Sequence, residues 1–117
     1  MDPQSQAPYF EALADYVRSD VLSFHMPGHQ QGRGAPPEFL ELVGTGALAA
    51  DITQVLGMDD IHRSHSVCLR AQQLAAQAYG AQHTYFLVNG SSCGNHAMLM
   101  GCLQEEGLIL LPIEHKG

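Results

Sequence analysis

The chain has 117 residues, 45% hydrophobic and 15% charged, with a formal net charge of −7. This apolar content suits a globular domain, or a piece of one, and not a disordered chain. Five bases scattered at Arg18, Arg33, Arg63, Arg70 and Lys116 cannot form the clustered basic face that nucleic acid requires, and no apolar run approaches the ~20 residues of a membrane span. From the N-terminus, Gln6 to Ser19 reads as an amphipathic helix. Tyr9, Phe10, Leu13, Tyr16 and Val17 recur at three- and four-residue spacing. Residues 1–22 are expected to form a helical arm and residues 23–117 the start of a larger domain.

The stretch from Ser23 to Pro37 is loop. Phe24-His25-Met26-Pro27-Gly28-His29-Gln30-Gln31-Gly32-Arg33-Gly34 carries a proline and three glycines. It is either a surface connection or the lining of a site, since a plain solvent loop has no need of Phe, Met and two His. Pro36 and Pro37 suit the start of a helix that continues to Val43 and ends at Gly44-Thr45-Gly46. Ala47 to Gly57 is ambiguous, with Asp51-Ile52-Thr53-Gln54-Val55 open to a short extended piece, and Asp59-Asp60 reads as a solvated turn, with a functional role for the pair as the alternative.

The clearest helix runs from Ser66 to Tyr79, with Ser64 or Ser66 as its cap, an apolar stripe through Val67, Leu69, Leu74 and Ala78, and Gly80 as its stop. Thr84 to Val88 and Leu108 to Pro112 read as buried strands on either side of a helix over Asn95 to Glu105. Continuous apolar strands separated by helices predict an α/β fold with a mostly parallel sheet covered on both faces. Two strands make an incomplete sheet, so the chain reads as the truncated beginning of a larger α/β domain.

Three cysteines, Cys68, Cys93 and Cys102, are odd in number and lack CxxC spacing. They read as the reduced thiols of a cytoplasmic protein. His25 and His29 would share a helix face, but Pro27 and Gly28 lie between them, and no metal site is expected.

The segment with most chemical content is Val88-Asn89-Gly90-Ser91-Ser92-Cys93-Gly94-Asn95. It passes from a strand candidate through a small polar turn into a helix. Gly90 permits close backbone approach, Ser91 and Ser92 add hydroxyls, and the helix dipole favours an anion there. It lacks the lysine of a P-loop and the GxGxxG of a dinucleotide site. Phosphate binding and a ligand-free N-cap both remain open on these residues alone.

Three ordered segments resemble one family. The 24–34 stretch is similar to the FHxPGHxxGxG opening of the bacterial ornithine/lysine/arginine decarboxylases. Asp51-Ile52-Thr53-Gln54-Val55-Leu56-Gly57-Met58-Asp59-Asp60-Ile61-His62 resembles their next block, and Val88 to Ala97 their NGSTxGNxA segment. The likeness covers about residues 6 to 112. It implies the N-terminal part of an aspartate-aminotransferase-like major domain, with pyridoxal 5′-phosphate as cofactor and a basic amino acid as substrate. It also implies a homo-oligomer when complete, and a place in amino-acid and polyamine metabolism.

Carried over by position, Gly90, Ser91, Ser92 and Cys93 contact the cofactor phosphate. His115-Lys116 resembles the pair whose His stacks on the cofactor ring, and a chance His is the alternative there. The family's Schiff-base lysine lies further along, and Lys116 is the only lysine here. The 117 residues alone are therefore expected to be catalytically silent. The alternative reading is a non-catalytic remnant that associates with a full-length relative or binds a phosphate ligand.

Overall fold

The computed structural model describes residues 2–19, 21–103 and 107–110. It divides into two compact units, Met1–Tyr85 and Phe86–Gly117. The described residues hold five α-helices: α1 Pro8–Arg18, α2 Pro37–Val43, α3 Thr45–Ala49, α4 Val67–Tyr79 and α5 Gly90–Cys102. Single 3-10 turns lie at Pro3–Ser5 and Ile61–Arg63.

The described residues do not form the expected parallel α/β sheet. Among the described residues no strand forms, and Thr84–Val88 and Leu108–Leu110 carry no backbone ladder. Their aromatic and branched residues favour a pleated, half-buried surface, but such a surface exists only when a neighbouring strand supplies the hydrogen bonds. Lacking that partner, Tyr85, Leu108 and Leu110 lie exposed. The end of the second expected strand, Leu111-Pro112, lies outside the described residues.

The helices follow local signals. Pro8 and Pro37 occupy first-turn positions, where a missing N–H costs nothing. Gly44, at φ +86°, ends α2 and opens α3, a conformation that disfavours a side chain. Gly80 closes α4 in the left-handed region. Its N–H reaches back to the carbonyls of Ala76 and Gln77, and the Ala81 N–H bonds Ala76 O at 2.9 Å.

The first unit is built on α1 against α4. Gln4 Nε2 donates to Leu74 O at 3.1 Å, and Arg70 Nη2 to Gln6 Oε1 at 3.3 Å, so the N-terminal turn is tied to the same helix. The buried apolar residues are Leu48, Met58, Cys68, Leu74 and Ala76. On α4 one buried line runs Cys68-Gln72-Ala76 and Leu74 is buried on the other side of the helix, while Leu69 and Ala78 are exposed. Spacings of three and four allow more than one stripe on this alanine-rich helix, and burial in the folded chain falls on Cys68, Gln72, Leu74 and Ala76. Cys68, 1% exposed, packs as a small apolar side chain.

The second unit contains α5. It begins at Gly90, five residues before the expected start, so the glycine-serine turn is itself the first turn of the helix. Gly94 sits where a Cβ would stand 2.5 Å from Leu87 Cδ1, which brings the segment before the helix close onto its face.

Candidate functional site

Gly90, Ser91, Ser92 and Cys93 form the first turn of α5, and all four are exposed. Gly90 has φ +74°, with nothing within 4 Å of where a Cβ would lie. The cap residue, Asn89, makes no side-chain bond to the helix, and no acidic residue occupies the first turn. The amides at the head of a helix have no partner within it, and the helix dipole adds partial positive charge there. The turn therefore presents N–H donors beside two hydroxyls, a donor set suited to an anion with several oxygens. His115, expected beside the cofactor ring, lies outside the described residues.

In the first unit two of the sequence blocks meet. His29 Nε2 lies 3.2 Å from Asp51 Oδ2, across 22 residues of chain, and the Gly32 N–H donates to His29 Nδ1 at 3.1 Å. The loop is internally bonded as well. Gly32 and Gly34 amides both donate to His29 O at 3.0 Å, and the Ala35 amide donates to Gly32 O at 3.1 Å. Gly32 is buried at φ +92°, and a Cβ there would stand 3.3 Å from Leu40 Cδ2 and 3.3 Å from Leu48 Cβ. The stretch is thus a folded turn seated on α2 and α3, with Phe24 and Met26 exposed at its outer side. The ring of His25 is held separately, by the Tyr16 hydroxyl at 2.9 Å from Nε2 and by Met26 O at 2.6 Å from Nδ1.

Asp59 is no solvated turn residue. Its side chain is out of contact with solvent, and its carboxylate accepts the amides of Ser66 at 2.8 Å, Cys68 at 3.2 Å and His65 at 3.1 Å. It also accepts its neighbour Asp60's amide at 3.0 Å, and the exposed His65 ring lies 2.7 Å away. Neither expected serine caps α4. Ser66 makes no cap bond, and Ser64 Oγ turns to Ile61 O and Cys68 Sγ. Desolvation raises the Asp59 pKa, but the amides of Ser66, His65, Asp60 and Cys68 outweigh it and hold the carboxyl well below the ordinary carboxylate range. Asp60 caps the Ile61–Arg63 turn through the His62 amide at 2.9 Å and takes a bond from Gln54 Nε2 at 2.9 Å.

The expected phosphate residues thus stand together on α5, in one unit. The His29–Asp51 pair and Asp59 lie in the other. Sequence reasoning missed the last two because each depends on a remote partner. A carboxylate capping a helix seven to nine residues ahead of itself falls outside the usual cap position. The available signal was their membership of the motif blocks, His29 of the first and Asp51 and Asp59 of the second.

The profile of the Orn/Lys/Arg decarboxylase major domain matches residues 7–116. An arginine decarboxylase of Bacillus anthracis is 38% identical over 109 residues, 93% of this chain and 22% of that protein. An arginine decarboxylase of Bacillus subtilis is 35% identical over 109 residues, again 93% and 22%. An inducible ornithine decarboxylase of Escherichia coli is 34% identical over 115 residues, 93% of this chain and 16% of that protein. The chain spans about a fifth of the length of these relatives. No solved structure matches it significantly. The chain belongs to the Orn/Lys/Arg decarboxylase family, within its major domain.

Proposed function

We propose that this chain supplies the phosphate-holding turn of a pyridoxal-phosphate-dependent decarboxylase of basic amino acids, an enzyme that works as a homo-oligomer. The observation that carries the reading is the uncapped first turn of α5, which lies within a family match running from residue 7 to 116. The named relatives, arginine and ornithine decarboxylases, support a cationic amino acid as substrate.

The donor set fits the cofactor's phosphate. Backbone amides at Gly90–Cys93 and the hydroxyls of Ser91 and Ser92 would hold its oxygens, and the absence of a first-turn carboxylate removes a competing negative charge. When bound, pyridoxal phosphate supplies an electron sink for loss of the substrate carboxylate. The role of these residues is to bind and orient the cofactor's anionic end. Among the described residues no helix is long and apolar enough to cross a membrane.

The test is a phosphorus NMR titration of the 117-residue chain with pyridoxal phosphate, with unphosphorylated pyridoxal followed through the protein amides. The reading expects a saturable shift of the phosphate resonance, perturbed amides at 90–93, and no comparable effect from pyridoxal. Replacing Ser91 and Ser92 together by Ala should weaken the binding by roughly tenfold, as for loss of hydrogen bonds to a charged group. Equal response to both compounds, or an unchanged affinity in the double variant, would refute it. Carbon dioxide release above that of free cofactor would overturn the expected catalytic silence of the isolated chain.

A further inference from the structure

His29 is bonded at both ring nitrogens, and the two partners have opposite demands. The Gly32 amide can only donate, so Nδ1 must present a lone pair. The Asp51 carboxylate accepts, so Nε2 must carry the proton. One neutral tautomer meets both at once. The ring is largely enclosed, with its side chain 18% exposed.

The partners also lie on one piece of structure. Asp51 follows the cap residue of α3, Ala50, and its amide donates to Leu48 O at 3.4 Å. Leu48 is the residue against which Gly32 is pressed. The glycine loop therefore touches the C-terminal end of α3 twice, once by backbone against Leu48 and once through the His29 ring on Asp51.

We propose that Asp51 is a positioning residue. It fixes the His29 ring, and through that ring the 27–35 loop, against the end of α3, so that the first two motif blocks behave as one body. The bond to Asp51 stops the ring from rotating about its χ angles. A ring held still keeps its Nδ1 lone pair aimed at Gly32. Without Asp51, Nε2 loses its acceptor and the ring loses one of its two anchors.

The experiment is nitrogen NMR of the full 117-residue chain, labelled at histidine, at mildly alkaline pH. The wild type should show His29 as the Nε2–H tautomer, with a ring proton that exchanges slowly enough with water to be seen. In Asp51→Ala that ring proton should vanish into exchange with water. The Gly34 and Ala35 amides should exchange roughly three- to tenfold faster, as expected for loss of about one hydrogen bond, while amides of Val67–Tyr79 keep wild-type protection. Asp51→Asn retains an acceptor oxygen and should fall between the two. A wild-type ring protonated at Nδ1 overturns the proposal. So does an Asp51→Ala variant with the ring proton and loop amides unchanged, or one in which α4 loosens as much as the loop. Should Asp51→Ala fail to fold, the wild-type tautomer and Asp51→Asn decide the matter.

Discussion

The Asp59 carboxylate accepts the Ser66 amide at 2.8 Å and thereby caps a helix that begins at Val67. The chain leaves Asp59, makes a 3-10 turn at Ile61–Arg63, and returns to place the helix head on the carboxylate. Asp59 itself sits at φ +68°, a strained setting for a residue with a side chain, and four amide bonds hold it there.

The ionisation of Asp59 makes stability pH-dependent with a definite sign. The folded pKa is depressed below the ordinary 3.8. The contribution is therefore fully present above that value, and it is lost as pH falls from there through the depressed folded value. Asp59→Asn keeps the shape but removes the charge. We expect it to melt several degrees lower than wild type at neutral pH, with the gap narrowing below the ordinary carboxylate pKa. Thermal melts followed by helical circular dichroism over a pH series would check this, and coincident melts at neutral pH would contradict it.

Gly32 and Gly44 offer a matched pair. Both have positive φ, +92° and +86°, so alanine is strained at either. Only Gly32 also faces neighbours, at 3.3 Å from Leu40 and Leu48, whereas nothing lies within 4 Å at Gly44. Gly44→Ala should cost about 1–2 kcal/mol from backbone strain alone. Gly32→Ala should cost more, by a further ~1 kcal/mol or above, because two packed leucines must move. Denaturant melts of the two variants give the difference directly. An equal cost at both positions would show that the contacts at Gly32 are slack.

Within α5, Gly101 and Gly94 should respond differently to alanine. Gly101 lies in the last turn of the helix with nothing near its missing Cβ, so Gly101→Ala should raise helix stability by up to about 0.5 kcal/mol. At Gly94 the same propensity gain is opposed by Leu87 Cδ1 at 2.5 Å. That methyl ends a flexible side chain and can swing aside, so the net gain should be smaller and the Leu87 resonances should move. Hydrogen exchange across Gly90–Cys102 with methyl NMR of Leu87 separates the two cases.

Elements whose cause is local were legible in advance. The proline start of α2 and the glycine stop of α4 sit where they were expected, because each acts through its own backbone, while α1 begins at Pro8, inside the helix expected from Gln6. The first turn of α5 was recognised as a donor cluster for the same reason, although the helix starts at Gly90 and not at Asn95. The second block was recognised as a unit, yet Asp59 was misread, since nothing in Asp59-Asp60 announces a helix head several residues ahead.

The sequence alone determined that α1, α2, α4 and α5 are helical and which family the chain joins, and it singled out residues suited to an anion, while α3 falls where a helix end and an ambiguous stretch were expected. Helical hydrogen bonds close within four residues, so caps and periodicity suffice to specify them. Tertiary structure decided the rest. Thr84–Val88 is no strand among the described residues because a ladder needs a second chain segment to receive its bonds. His29 finds Asp51, and Gly32 finds Leu48, only because the intervening helices turn back on the loop. Contacts of that kind depend on the path of the chain between their ends, and no local pattern records that path.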